Sequence, residues 1–145
     1  MKKIVVLLVF ATCICVCNGV EIKLLNAIKS VESSGNASAI GDNGKAVGAY
    51  QLHKVYVDDV NNILKNKGSK IRFTYSDRFN AHKSRVMTYI YLNHYGKVYE
   101  RKTGKKASLE VLARIHNGGP SGYKKQATLK YWHKVKKRLE KNTNK

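Results

Sequence analysis

Two carboxylates in the first third of the sequence have the spacing and surroundings of a catalytic pair. Glu32 ends an amphipathic stretch, and Asp42 follows ten positions later within Gly-Asp-Asn-Gly. Partial burial beside a cleft favours the protonated form of a carboxylic acid, as a general acid requires. One protonated and one ionised carboxyl group across a cleft are the minimum machinery for cutting a glycosidic bond. A solvated surface glutamate and a turn-forming aspartate are the simpler interpretations of these residues.

Two amide side chains add polar groups suited to binding a sugar. Gln51 ends a Gly-Ala-Tyr-Gln segment, and Asn117 lies in His-Asn-Gly-Gly. A carboxamide both donates and accepts hydrogen bonds, so it can recognise hydroxyl or acetamido groups. The histidines His82, His94 and His133 are scattered without metal-ligand spacing. We therefore expect neither a metal site nor another cofactor.

The elements that must position these groups are mostly helical. Apolar residues recur at helical spacing in five stretches, and Ser108 is a suitable amino-terminal cap for one of them. Glycines divide residues 36–53 into short pieces that predict a small β-hairpin with a strand within 46–52. Residues 117–122 are predicted to form a loop. Together these patterns predict a mainly helical α+β domain, with helices at about 21–34, 54–66, 77 to beyond 95, 109–116 and 127–141.

The first nineteen residues have the pattern of a secretory signal. Met-Lys-Lys precedes an apolar run, and cleavage is predicted after Gly19. An uncleaved anchor is the alternative, although the stretch is short for a spanning helix. All three cysteines lie within it, so the mature chain is expected to lack disulfides. We predict a signal peptide at 1–19 and one catalytic domain at 20–145, secreted, or periplasmic if the source is a Gram-negative bacterium.

The positive charge of the chain predicts anionic partners. Its 145 residues include 28 Lys and Arg against 9 Asp and Glu, a formal net charge of +19. A secreted protein this basic is attracted to anionic polymers such as those of a bacterial cell wall. The hydrophobic content of 43% supplies a packed core and excludes a disordered basic tail. No nucleic-acid-binding signature is present, and the sequence indicates a monomer without a specific nucleic acid partner.

The order of the motifs resembles the lysozyme-like superfamily, in its branch of soluble lytic transglycosylases and goose-type lysozymes. Val-Glu-Ser-Ser-Gly-Asn at 31–36 is similar to the Glu-Ser motif of that branch, and Gly-Ala-Tyr-Gln at 48–51 to its Gly-Leu-Met-Gln motif. Ile-His-Asn-Gly-Gly at 115–119 resembles its Ala-Tyr-Asn-x-Gly motif, and Tyr131 with Val135 completes the pattern. The likeness spans about residues 27–135, and the order and spacing are more specific than any one motif.

The resemblance implies a lysozyme-like fold and cleavage of peptidoglycan. Glu32 would be the general acid for the bond between N-acetylmuramic acid and N-acetylglucosamine, and Asp42 would help to place the hydrolytic water. His53 stands where goose-type enzymes have a second Asp, and His116 replaces a Tyr. These departures leave hydrolysis and intramolecular formation of a 1,6-anhydro end both open. The residues implied to line the cleft and hold the glycan strand are Ser33, Gln51, Asn117 and Tyr131.

Two other functions fit parts of the pattern. A lysozyme-like protein without catalysis would bind the cell wall or disrupt membranes as a cationic antibacterial protein. A nucleic-acid or glycosaminoglycan binder would need only the charge, which does not distinguish sequences. The presence of Glu32 favours a catalyst over both.

Overall fold

A computed structural model describes residues 20–143, so the predicted signal peptide at 1–19 lies outside the described residues. The described chain contains five α-helices and one two-stranded antiparallel sheet, which confirms the predicted α+β class with a small β-hairpin. The helices and strands are α1 (Ile22–Ser33), β1 (Ile40–Gly41), β2 (Ala46–Val47), α2 (Lys54–Asn66), α3 (Ala81–Thr103), α4 (Leu109–Gly118) and α5 (Leu129–Thr143). Short 3-10 helices lie between them at Asp42–Gly44, Tyr75–Phe79, Gly122–Lys124 and Gln126–Thr128. Over residues 20–143, no helix combines the length and the apolar character needed to cross a bilayer.

All five helices contribute to the hydrophobic core, within which α1, α4 and α5 pack on one another. Leu24 and Ile28 of α1 and Val135 of α5 are fully buried. Ile22 has the same helical spacing from Leu25 as Leu25 has from Ile28, yet Ile22 is 67% exposed. The packing of α1 against α5 buries the face that carries Leu24 and Ile28.

Helix α3 begins at Ala81 rather than near Asp77, because capping groups divide the segment before it. The backbone amide of Thr74 donates to Oδ2 of Asp77 at 2.8 Å, which closes a capping box on the preceding 3-10 helix. Asn80 then takes an extended backbone conformation, and its Oδ1 accepts the amide of Lys83 at 2.9 Å. This side-chain cap starts the long helix.

Helix α4 begins as predicted and ends later than predicted. Oγ of Ser108 accepts the backbone amide of Val111 at 3.2 Å, which confirms the predicted cap. The helix continues through Gly118 and stops where Gly119 has a φ of 81°. The prediction of a loop was therefore wrong for residues 117 and 118, since the second of two glycines, not the first, takes the positive φ at which the helix ends. Asn117 consequently lies in the last turn of α4.

The hairpin between α1 and α2 is shorter than predicted. Ile40 pairs with Val47 across β1 and β2, and the chain then turns at Gly48, which has a φ of 81°. An isolated bridge from Val47 to Leu52 closes this turn. Any side chain at Gly48 would clash with the backbone carbonyl of Arg78, so the turn needs glycine for space as well as for its conformation.

A buried arginine fastens this hairpin to the rest of the fold. Arg78 is 5% exposed. Its Nη1 donates to the carbonyl oxygens of Lys45 at 3.1 Å and Leu52 at 2.9 Å, and its Nε donates to that of Tyr75 at 2.9 Å. No sequence pattern had singled out Arg78. Its hydrogen bonds join carbonyl groups on both sides of the turn, and that of Leu52 also accepts the backbone amide of Val47.

Candidate active site

A cleft of about 520 Å³ opens between the hairpin, α2 and the carboxyl ends of α1 and α4. Four of the six predicted site residues line it, and they are Glu32, Asp42, Gln51 and Asn117. The fold therefore brings together groups that are up to 85 positions apart in the chain. The apolar part of the wall comes from Leu52, Val55, Tyr56, Tyr91 and Pro120.

Glu32 lies in the last turn of α1, and its side chain is 18% exposed. The hydroxyl of Tyr131 donates a hydrogen bond of 2.7 Å to Oε1 of Glu32. Nε2 of His116 lies 3.4 Å from the same oxygen. The packing of α1 against α4 and α5 brings these three side chains together. Glu32 is thus a partly buried carboxyl group whose contacts converge on one of its two oxygens.

Tyr131 was expected to line the cleft and hold the glycan, and the structure gives its hydroxyl a different partner. The side chain is 9% exposed and does not line the cleft, and its hydroxyl is used by Glu32. Burial raises the pKa of Tyr131 well above its ordinary value, and the nearby carboxyl group of Glu32 raises it further. Tyr131 therefore stays protonated and remains a hydrogen-bond donor.

Sequence reasoning noted His116 only as a departure from the family pattern and did not single out Tyr56. The His116 side chain is 4% exposed, and its Nδ1 lies 3.4 Å from the Tyr56 hydroxyl. Tyr56 stacks on Tyr91, with ring centroids 3.9 Å apart. Tyr91 is buried at 4% exposure and also reaches the cleft wall. No local pattern could have found the pairing of Tyr56 and His116, because sixty positions separate them.

Asp42 lies on the hairpin side of the cleft, next to His53. Nε2 of His53 is 3.4 Å from Oδ2 of Asp42, and the two side chains are 44% and 54% exposed. Asp42 and Asn43 have φ values of 47° and 51°, in the left-handed region that Asp and Asn tolerate best among residues with side chains. The pair is open to solvent, so a water molecule can reach the carboxylate.

Gln51 and Ser33 are tied to the turn that follows β2. Nε2 of Gln51 donates to the carbonyl oxygens of Ala39 at 3.2 Å and Gly48 at 3.0 Å. Both amide hydrogens are thereby used, and Oε1 is the group left to accept from a ligand. Gln51 has a φ of 49°, a strained conformation that these bonds help to hold. Oγ of Ser33 donates to the carbonyl of Ala49 at 2.9 Å and joins α1 to the same turn, so its binding of a glycan stays a prediction.

The arrangement supplies what acid-catalysed cleavage of a polar substrate needs. A partly buried carboxyl group and a solvent-exposed carboxylate line one cleft, whose volume is in the usual range of about 300–1,000 Å³ for ligand sites. Between residues 20 and 143, no group of three or more His, Cys, Asp and Glu side chains is placed to hold a metal ion. The chemistry available from these side chains is proton transfer and hydrogen bonding.

A second depression lies between α1 and α5 and is strongly basic. We call it the basic groove; it has a volume of about 260 Å³ and is lined by Val31, Lys134, Lys137, Arg138 and Lys141. The four cations recur along one face of α5, and all four are exposed. None of the four takes part in an ion pair with the described residues.

Comparison with known proteins identifies several relatives. The family model described as Destabilase matches residues 21–138. Invertebrate-type lysozyme 6 of Caenorhabditis elegans is 37% identical over 92 residues, which cover 61% of this chain and 64% of that protein. A lysozyme of Magallana gigas is 51% identical over 41 residues, 28% of this chain and 30% of that protein. The chain thus spans less than two thirds of the length of either relative.

A solved structure has a similar fold. It is the crystal structure of Aeromonas hydrophila PliI in complex with Meretrix lusoria lysozyme, one chain of which superposes with a TM-score of 0.65. The two chains are 27% identical, and the superposition covers 81% of this chain and 89% of that one. The likeness therefore extends over nearly all of the described domain.

Proposed function

The chain belongs to the Destabilase family within the lysozyme-like superfamily, and on that premise we propose that it is a secreted muramidase that cleaves peptidoglycan. The scissile bond is the β-1,4 link between N-acetylmuramic acid and N-acetylglucosamine. The observation that carries the proposal is Glu32, a carboxyl group held by Tyr131 at the edge of a cleft that Asp42 also lines. Relatives named as lysozymes support the same assignment.

Glu32 acts as the general acid. Its proton passes to the glycosidic oxygen as the bond from that oxygen to the sugar carbon breaks. The carboxylate that remains is stabilised by the hydrogen bond from Tyr131, because bonds to a charged acceptor are about twice as strong as neutral ones. This stabilisation grows as the proton leaves, so it lowers the barrier rather than merely binding substrate.

The fate of the sugar decides between two enzyme classes. Asp42, exposed and adjacent to His53, is suited to orient a water molecule for hydrolysis, as in a lysozyme. A lytic transglycosylase needs no such water, because the C6 hydroxyl of the muramic residue closes a 1,6-anhydro ring. We favour hydrolysis slightly, since the carboxylate of Asp42 is in the cleft.

The remaining parts of the site serve binding. Gln51 and Asn117 line the cleft and supply hydrogen-bonding groups for the glycan strand, and Ser33 supports the turn from which Gln51 extends. The basic groove attracts the anionic polymers of the bacterial wall, which suits an antibacterial role. The catalytic domain begins at residue 20, after the signal peptide, and acts as a monomer.

Analysis of products from purified peptidoglycan tests the proposal. Mass spectrometry compares fragments released by the protein, by Glu32→Gln, and by Glu140→Gln, whose exposed carboxylate on α5 makes it the matched control. We expect fragments from the protein and the control and none from Glu32→Gln. Reducing ends indicate a hydrolase, and 1,6-anhydro ends a transglycosylase. A protein that binds peptidoglycan and releases no fragments is the non-catalytic cationic binder instead.

A further inference from the structure

The two contacts of Glu32 with neighbouring side chains meet at one oxygen. The Tyr131 hydroxyl donates to Oε1 at 2.7 Å, and His116 Nε2 is 3.4 Å from Oε1. Among residues 20–143, no protein group donates a hydrogen bond to Oε2 of Glu32. The carboxyl group is therefore asymmetric, with one oxygen held from within the protein and the other left for the cleft.

We propose that His116 is a positioning residue that donates from Nε2 to Oε1 of Glu32, so that Oε2 is the oxygen that carries the transferable proton. The inference rests on the proposed function, in which Glu32 is the general acid. Oε1 would accept hydrogen bonds from two donors, so the acid proton is less stable on Oε1 than on Oε2. A protonated Oε1 would be a donor itself and would face two other donors. The present separation of 3.4 Å is longer than a typical hydrogen bond, and we expect it to shorten when a glycan binds, as catalytic contacts often do.

The surroundings of His116 favour Nε2 as its donor nitrogen. A neutral imidazole has one N–H donor and one acceptor nitrogen. Nε2 faces a carboxyl oxygen that needs a donor, whereas Nδ1 lies 3.4 Å from the hydroxyl of Tyr56, which can supply a hydrogen. Burial raises the pKa of Tyr56 well above its ordinary value, so this hydroxyl keeps its proton. The ring itself is 4% exposed, and water cannot replace either contact easily.

The step balances without any further reactant. The proton leaves Oε2 of Glu32 and binds the glycosidic oxygen, which also takes the electron pair of the breaking bond to the sugar carbon. The negative charge left on Glu32 is shared with Oε1, where Tyr131 and His116 both donate. The sugar carbon is then captured by water or by the muramic C6 hydroxyl. His116 therefore acts through Glu32 and does not touch the substrate.

Protonation of the His116 ring can be measured without any substrate. Nitrogen-15 NMR of the intact mature protein at neutral pH distinguishes a nitrogen that carries hydrogen from one that does not. We expect Nε2 to carry hydrogen, in either the neutral or the cationic ring. A bare Nε2 overturns the proposal, since it could not donate to Glu32. The NMR result does not depend on whether the protein cleaves peptidoglycan. Failure of the proposed function is detected separately, by the product analysis.

Kinetics then separates positioning from packing. His116→Phe keeps a ring of similar size and removes the donor, His116→Gln keeps an N–H donor, and His82→Phe is the control at an exposed position. We expect His116→Phe to lower kcat by about tenfold to a hundredfold with KM within about threefold, and His116→Gln to recover most of the loss. Unchanged kcat in His116→Phe, or an equal loss in His116→Gln, contradicts the proposal. If His116→Phe does not fold, the NMR result decides.

Discussion

The hairpin that carries Asp42 and Gln51 depends on a side chain remote from the cleft chemistry. Arg78 donates to the carbonyl oxygens of Lys45 and Leu52, which lie before and after the turn. Replacing it with methionine keeps much of the buried aliphatic volume and removes all three donated hydrogen bonds. We therefore predict that Arg78→Met lowers the free energy of unfolding and loosens the hairpin side of the cleft.

The size of the effect follows from the contacts. Hydrogen bonds from a charged donor contribute about 1.5–3 kcal/mol each, so three of them set an upper limit of several kcal/mol. Burial of the Arg78 guanidinium group lowers the stability of the folded protein, because this group pairs with no carboxylate among the described residues. Methionine avoids this cost, so the net loss is smaller than the limit. The net loss expected for Arg78→Met is about 2–4 kcal/mol.

Urea unfolding of the mature domain measures this loss. With a slope of about 2 kcal/mol/M, the midpoint should fall by about 1–2 M while the slope stays constant. Arg72→Met is the matched control, because Nη1 of Arg72 also donates to two backbone carbonyls, those of Ser69 and Ile71, but the side chain is exposed. We expect the control to change stability by less than about 0.5 kcal/mol. Equal effects of the two substitutions would refute the reasoning, since burial would then not matter.

Three further predictions concern the acid, the turn and the basic groove. Tyr131→Phe should lower kcat for peptidoglycan by about tenfold or more at nearly constant KM, because the carboxylate of Glu32 loses a hydrogen bond; a kcat within twofold of the parent contradicts this. Gly48→Ala should lower the free energy of unfolding, measured by heat or urea, by about 2–5 kcal/mol, because it adds a clash with the Arg78 carbonyl to the strain of positive φ. Gly44→Ala is the control, since Gly44 also has a positive φ but has open space around it, and it should lower the free energy of unfolding by only about 1–2 kcal/mol. A variant with four alanines in the basic groove should bind anionic wall polymers less tightly and with a weaker dependence on salt concentration, measured by sedimentation with the polymer. The charge-matched control replaces four exposed lysines outside the groove, at Lys65, Lys70, Lys102 and Lys105. An equal loss of affinity in the two variants would contradict a specific role of the groove.

Much of the fold could be predicted from local patterns, while its boundaries could not. Helical spacing located the helices, and Ser108 was recognised as a cap. The start of α3 was misplaced because the carboxyl group of Asp77 caps a separate 3-10 turn, and Asn80 caps the helix itself. Which of two consecutive glycines ends α4 is likewise decided by backbone conformation, which residue types alone leave open. Helical spacing could not reveal that Ile22 is exposed, because the partner helix selects the buried face.

The candidate site was predictable in its residues and less so in their contacts. The motifs identified Glu32, Asp42, Gln51 and Asn117, which the fold brings to one cleft. They indicated the superfamily, and comparison with known proteins identified Destabilase as the family. The hydrogen bond from Tyr131 joins residues 99 positions apart, so its partner could not be read from spacing. The contacts of His116 and Arg78 depend in the same way on how distant elements pack.

The measurement that tests the central claim most directly compares binding and cleavage on the same insoluble peptidoglycan. Sedimentation gives the fraction of the mature protein that is bound, and mass spectrometry of the supernatant gives the rate of fragment release. Because Glu32→Gln keeps the shape of the acid and removes its transferable proton, we predict unchanged binding with fragment release reduced by at least about a hundredfold. Release by Glu32→Gln at the rate of the parent protein would contradict the assignment of Glu32 as the general acid.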